Sequence, residues 1–136
     1  MMPREPSSPV APSALRWIPV HGDSMWPSLR SGDQAGVEPL EGTPRPGDVL
    51  LARFDHALVL HRLARWESGA VALRGDNTAS EDPPLPPSRV LGRVRQVRRG
   101  GVLLETGWDQ GPRWLGRIRV AVKWRLAALL GRRGGQ

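Results

Sequence analysis

The sequence predicts a mainly β domain followed by one amphipathic helix. Short runs of apolar and β-branched residues recur at close spacing, turn residues separate them, and helical periodicity begins only after Pro112. A chain of 136 residues suits one compact domain with one modest core. The expected organisation is a lead-in over 1–15, a β domain over 16–108, and a basic amphipathic helix with its tail over 109–136.

The elements follow in chain order. The lead-in is rich in proline and serine and is expected to be disordered. Arg16 to Val20 reads as a first strand. Ser24 to Arg30 reads as a turn or a single helical turn with Pro27 early in it. Gln34 to Glu38 reads as a second strand, and Glu41 to Gly47 as a Pro/Gly loop. Asp48 to Phe54 and Ala57 to Trp66 are stronger strands, joined by a tight turn at Asp55-His56. Glu67-Ser68-Gly69 turns the chain into Ala70 to Arg74. Gly75 to Pro87 holds too much Pro, Asp and Ser for regular structure, and long loops in compact domains are often functional. Arg89 to Val97 alternates, with Val90, Gly92, Val94 and Gln96 on one face and Leu91, Arg93, Arg95 and Val97 on the other. Arg99-Gly100-Gly101 turns into Val102 to Glu105.

Pro112 to Leu130 reads as helix. Leu115, Ile118, Val122, Leu126 and Leu129 recur at steps of three and four. Pro112 suits a first turn and Gly131 a C-terminal stop. Arg113, Arg117, Arg119 and Lys123 fall mostly opposite the apolar arc, although Arg125 intrudes on it and Val120 and Trp124 lie outside it.

Composition removes several function classes. The chain has no cysteine, which excludes disulfides, thiolate chemistry and cysteine-ligated zinc and fits a reducing compartment. No apolar run reaches the roughly 20 residues of a membrane span, and no secretory signal stands at the start. A cytoplasmic location follows as the expectation. The net charge is +7, nearly all from arginine, with Lys123 the single lysine. Such an excess suits nucleic acid, anionic lipid or an acidic partner, and a coding bias toward Arg, Gly and Pro would produce it too.

The chemistry-bearing residues occur in a suggestive order: a serine in His21-Gly22-Asp23-Ser24-Met25-Trp26-Pro27, then His61, then an acidic loop. A serine hydroxyl needs a neighbouring base to become a nucleophile. Arginine stays protonated, so the choice lies among three histidines and Lys123. Lys123 belongs to the expected helix, away from the strands. His21 is three residues from Ser24 and would meet it only by accident of the turn. His56 is placed at a hairpin tip. His61 lies mid-strand between Leu60 and Leu63, a rigid position, and is the best candidate base. Taken alone it reads more readily as a satisfied sheet histidine, and the surrounding residues reverse that preference. A base imidazole needs an acceptor for its other nitrogen, and the loop offers Asp76, Glu81 and Asp82. Asp76 also reads as a turn residue and Asp82 as the start of a proline segment.

The ordered set resembles the signal peptidase and LexA-like serine peptidases. Gly22-Asp23-Ser24-Met25-Trp26-Pro27-Ser28-Leu29 with Gly32-Asp33 is similar to the family's serine box. Arg45-Pro46-Gly47-Asp48-Val49 resembles its second Gly-Asp box, and Gly92-Arg93-Val94 its closing strand. The resemblance spans about residues 16 to 97. Bacterial leader peptidases carry a lysine at the position of His61. Val59-Leu60-His61-Arg62-Leu63 with Gly75-Asp76-Asn77 and Asp82 resembles instead the endoplasmic-reticulum and archaeal type.

That resemblance implies a LexA/signal peptidase-like β-fold and a serine endopeptidase acting on a precursor or leader peptide. It implies Ser24 as nucleophile, His61 as general base and Asp82 as its orienter, with Asp76 a second acidic contributor that competes for the orienting role. Met25 and Gly22 support the serine. Some bacterial members carry a serine two positions before the nucleophile; Gly22 stands there, so only backbone donors are expected for the oxyanion. No metal or cofactor is implied. The substrate would bind extended along a sheet edge.

The family's spanning helices and helix-turn-helix domain find no counterpart in the sequence. Ala35-Gly36 follows the serine, so self-cleavage is not expected. Two other classes compete: a non-catalytic relative binding peptides or partners in the same groove, and a basic nucleic-acid module supported by charge alone. The basic helix suits an anionic membrane surface, or equally the domain's own core.

Overall fold

The computed structural model describes residues 14–112 and residue 114. Among these, seven strands form one antiparallel sheet. They are β1 (Arg16–Pro19), β2 (Gln34–Pro39), β3 (Val49–Phe54), β4 (Ala57–Glu67), β5 (Ala70–Arg74), β6 (Val90–Arg99) and β7 (Val102–Leu103). The spatial order is β1-β2-β6-β3-β4-β5, and β7 pairs with the end of β6. β6 thus joins the two halves of the sheet, pairing with both β2 and β3.

β3 shows why the sheet has two apolar layers. Val49 and Leu51 belong to one cluster with Val20, Met25, Leu29 and Val97. Leu50 and Ala52 belong to a second with Leu63, Val71, Leu73 and Leu85. Successive strand residues point to opposite faces, so a strand covered on both sides reads as an unbroken apolar run. The β3–β4 hairpin turns in two residues, with Phe54 paired to Ala57. Asp55 takes φ 51° there, a left-handed conformation that Asp tolerates better than most residues.

The alternation expected along β6 breaks. Val94 and Val97 are both buried in the same cluster, rather than on opposite faces. The cause is a register shift against β2: Gly36 pairs with Gln96, but Val37 pairs with Val94. The extra residue is a bulge, which changes the phase of the strand. β4 is likewise irregular against β5 between Leu63 and Arg65, and His61, Arg62, Leu63 and Ala64 are buried in succession.

The loop after β5 is partly tied to the sheet. Val71 bridges Leu85, and the Asp82 N–H donates to the Leu73 carbonyl at 2.8 Å. Leu15, at the end of the expected lead-in, is buried. The rest of that lead-in, residues 1–13, lies outside the described residues. So does the helix expected over Pro112–Leu130, apart from Pro112 and Trp114. Trp114 is buried beside Ala64 of β4.

Candidate active site

Ser24 sits in the reversal between β1 and β2. Met25 and Leu29 sink into the core at its centre and anchor it, and burying such side chains stabilises by about 1.5–3 kcal/mol each. Hydrogen bonds within the turn run from Trp26 N to Asp23 O and from Leu29 N to Met25 O. A second set closes its base: Val20 N donates to Asp33 O at 2.8 Å, and Gly32 N to Val20 O at 3.0 Å.

Asp33, 2% exposed, fastens that closure. It accepts from the Arg30 N–H at 2.8 Å and from both Nε and Nη2 of Arg99 at 2.9 Å. Burial alone would push its carboxyl up. The Arg99 guanidinium and the Arg30 N–H outweigh burial together and hold it below the ordinary carboxylate range.

His61 is supplied by β4, opposite Leu50 of β3. Its Nδ1 lies 2.5 Å from Asp82 Oδ2, and its Nε2 lies 3.0 Å from Ser24 Oγ. A carboxylate only accepts, so a neutral imidazole here carries its proton on Nδ1 and donates it to Asp82. Nε2 then offers its lone pair to the Ser24 hydroxyl. Ser24, His61 and Asp82 come from three separate chain segments, and the fold brings all three together.

The other candidates have different surroundings. Asp76 does not meet His61. Its carboxylate receives Nε and Nη2 of Arg62, both at 2.8 Å. The two side chains are 1% and 0% exposed. Arg62 also donates to the carbonyls of Gly47 at 2.7 Å and Trp108 at 2.9 Å. Neighbouring strand residues face opposite ways, so His61 turns to the serine while Arg62 clamps the loop. Glu81 pairs with Arg65 at 2.6 Å. His21 is exposed on the rim of the cleft beside Ser24, and His56 is exposed at the hairpin. Lys123 lies outside the described residues. Gly22 takes φ +76°, a conformation that suits glycine, just before the serine.

Reading the sequence missed how Gly75-Asp76-Asn77 works. The loop leans on the serine turn. Asn77 N donates to Ser24 O at 2.8 Å, Asn77 Nδ2 to Asp23 O at 3.1 Å, and Asp76 N to Met25 Sδ at 3.4 Å. A Cβ on Gly75 would lie 2.5 Å from Ser24 O and 3.2 Å from His61 Nε2. Only glycine allows so close an approach. Arg62 was missed as well; its one sequence signal is a charge beside His61 within the apolar run Leu58–Ala64 of a strand.

A cleft of about 200 Å³ opens beside Ser24 and His61, floored by Ile18, Val20, Met25, Leu51 and Leu60. A wider groove of about 350 Å³ adjoins it and shares Ile18, Leu51 and Leu58. Among the described residues β1 pairs only with β2, leaving its other edge open. β5 starts pairing with β4 at Arg62, so Ala57–His61 keep one open edge too. Two open strand edges beside a hydroxyl and an imidazole can accept an extended chain.

The fold is a mainly β, antiparallel domain with a serine, a histidine and an aspartate in one hydrogen-bonded series. The family described as Peptidase S24-like matches over residues 2–95, and the chain belongs to it. Among curated proteins no significant match is found. No helix among the described residues is long and apolar enough to cross a membrane.

Proposed function

We propose that the protein is a serine endopeptidase that cleaves a precursor or leader peptide with Ser24, His61 and Asp82. The reading rests on one observation, the hydrogen-bonded series Ser24 Oγ–His61 Nε2 and His61 Nδ1–Asp82. The same series supports a likeness to the histidine-dependent endoplasmic-reticulum and archaeal type rather than the lysine type.

In this mechanism Ser24 Oγ attacks the scissile carbonyl carbon as its proton passes to His61 Nε2. Asp82 holds the imidazolium through Nδ1. The tetrahedral oxyanion takes hydrogen bonds from backbone N–H groups at the serine turn. The amide C–N bond breaks, and His61 returns the proton to the leaving amine. A water then attacks the acyl-serine ester, again giving its proton to His61, and Ser24 leaves with that proton. General base catalysis of this kind contributes about 10²–10⁴-fold. The peptide lies between the open edges of β1 and β4, with an apolar side chain in the cleft beside Ser24. Arg62 and Asp76 touch no reacting atom and act as positioning residues.

A fluorophosphonate probe tests the reading. Labelling at Ser24 that vanishes in Ser24→Ala and weakens in His61→Ala is the expected result. Folded protein that no such probe labels is instead a peptide-binding relative. Activity should fall on acidification, because an imidazolium cannot serve as the base. A rate that does not fall on acidification of folded protein contradicts the role of His61.

A further inference from the structure

We propose that the groove leading away from Ser24 selects peptides with an acidic side chain about three to five residues from the one seated at Ser24, held by Arg53 and Arg89. This rests on the endopeptidase reading and names the substrate class of the same site. The first ground is where the groove runs. The pairings β1-β2, β2-β6, β6-β3 and β3-β4 are all antiparallel, so β1 and β4 run the same way. Both lead to the site: β1 ends at Pro19, before the serine turn, and the open stretch of β4 ends at His61. The apolar groove of about 350 Å³ starts at Ile18 beside the Ser24 cleft and runs back to Arg16, Leu58 and Leu91. A further depression of about 380 Å³ continues from Leu91 and is lined by Arg53, Asp55, Ser88 and Arg89. Leu58 precedes His61 by about 10 Å along an extended strand, and Arg53 is its direct partner on β3. Ala52 pairs with Val90, which sets Arg89 beside Arg53.

The second ground is which arginines are engaged. Arg62, Arg65, Arg93 and Arg99 form ion pairs with Asp76, Glu81, Glu38 and Asp33. Arg74 and Arg98 lie over the rings of Trp114 and Trp17. Arg16, Arg53 and Arg89 are exposed and make no side-chain hydrogen bond or ion pair among the described residues. All three line the far part of the groove. Of the carboxylates there, Glu38 is taken by Arg93 and Arg95. Among the lining residues Asp55 is then the one carboxylate left to balance three guanidinium groups.

The third ground is the chemistry of the path. Leu58 and Leu91 are 56% and 41% exposed along it. Guanidinium groups take a carboxylate through forked, charge-assisted hydrogen bonds, and Ser88 adds a hydroxyl donor. Open strand edges supply main-chain partners for an extended peptide, and pockets between them sort its side chains. A phosphate backbone is held by cations and leaves the leucines unmatched. Charge complementarity joined to an apolar path thus favours an acidic peptide over nucleic acid.

Arrayed decapeptides of random sequence test the inference, probed with full-length Ser24→Ala protein so that retention needs no catalysis. Retained peptides should carry Asp or Glu at that separation from an apolar residue. Changing the acid to Asn or Gln should weaken binding at least about tenfold, the scale of a hydrogen bond to a charged group. Arg53→Glu with Arg89→Glu should turn the preference to Lys or Arg, an inversion that neither misfolding nor a merely structural role can mimic. The inference is overturned if retained peptides show no acidic preference, or if that preference survives the charge reversal. It is also overturned if the reversed protein, folded by its urea melt, fails to prefer basic peptides, or if a single-stranded DNA decamer binds the parent more tightly than the acidic peptides do. Fluorophosphonate labelling of the Ser24 protein judges the endopeptidase separately. Labelling without acidic preference removes this inference and keeps the endopeptidase; acidic preference without labelling does the reverse.

Discussion

Asp76 and Asp82 share one loop, and replacing each by asparagine should produce opposite failures. The Asp76 carboxylate and the Arg62 guanidinium are both buried, 1% and 0% exposed, and share two hydrogen bonds of 2.8 Å. Asp76→Asn leaves the guanidinium without a counter-charge and points an amide donor at a donor. Breaking a buried pair costs about 3–5 kcal/mol. Arg62 keeps the Gly47 and Trp108 carbonyls, so the lower end, about 3 kcal/mol, is expected. Small domains are stable by only about 5–15 kcal/mol. At about 1–3 kcal/mol per molar urea, the midpoint should drop by roughly 1–3 M. Asp82 is different. Its side chain is 22% exposed and makes one bond to His61, so losing it should cost only about 1 kcal/mol. Asparagine there no longer fixes the imidazole tautomer, and such a change lowers turnover by about 10⁴-fold in a serine-histidine-aspartate site. Urea melts in a Ser24→Ala background give the stabilities, and the rate of fluorophosphonate labelling in the Ser24 protein gives reactivity. The reasoning fails if Asp76→Asn costs under about 1 kcal/mol. It fails equally if Asp82→Asn labels within about threefold of the parent.

Gly75→Ala should damage both properties, because its Cβ would meet Ser24 O at 2.5 Å and Thr78 Cγ2 at 2.8 Å. A loss of about 1–3 kcal/mol is expected in thermal unfolding, together with slower labelling at Ser24. Met25→Ala removes a side chain that is 2% exposed under the serine turn; about 2–5 kcal/mol should be lost in urea unfolding. Asp33 carries a lowered folded-state pKa, so its stabilisation is complete above the ordinary carboxylate range and is lost as pH falls through the folded value. Asp33→Asn should therefore be less stable than the parent near neutrality and lose less on acidification, as compared by urea midpoints at both pH values.

Most strand positions along the chain were legible because turn chemistry and apolar runs agree, whereas the spatial order that sets β6 between β2 and β3 was not. Asp55-His56, Ser68-Gly69 and Gly100-Gly101 each fall between paired strands, while Glu67 and Arg99, expected in the turns, end β4 and β6. The phase of β6 was not legible, because its bulge depends on the partner strand, and alternation within one strand carries no trace of it. His61 emerged from scarcity, since few side chains in this composition can act as a base. The separation of Asp76 from Asp82 was hidden for a different reason. Both are loop aspartates, and their roles depend on which buried cation or imidazole the strands deliver nearby. β4 delivers both, Arg62 on one face and His61 on the other.

Three of the four Gly-Asp pairs, all but Gly22-Asp23, have one structural logic, and it bears on the arginines. Asp33 is held by Arg99, Asp76 by Arg62, and Asp48 has Arg93 at 3.6 Å while accepting from the Arg45 N–H. In each pair a turn aspartate meets an arginine borne by a strand. Gly32 and Gly47 take φ of +97° and +102°, reversing the chain just before the carboxylate, and Gly75 makes room for the serine turn. The pairs therefore fasten to the sheet the loops that carry or flank the site. Ser24 follows from the Asp33 clasp, and the Asp76 clasp sets the loop that presses on Ser24 O. Much of the arginine in residues 14–112 is thus scaffold rather than a surface for anions. If the clasps set the geometry, Arg99→Gln should slow labelling of Ser24 without touching His61 or Asp82, and an unchanged rate in folded Arg99→Gln protein would separate the Asp33 clasp from the site.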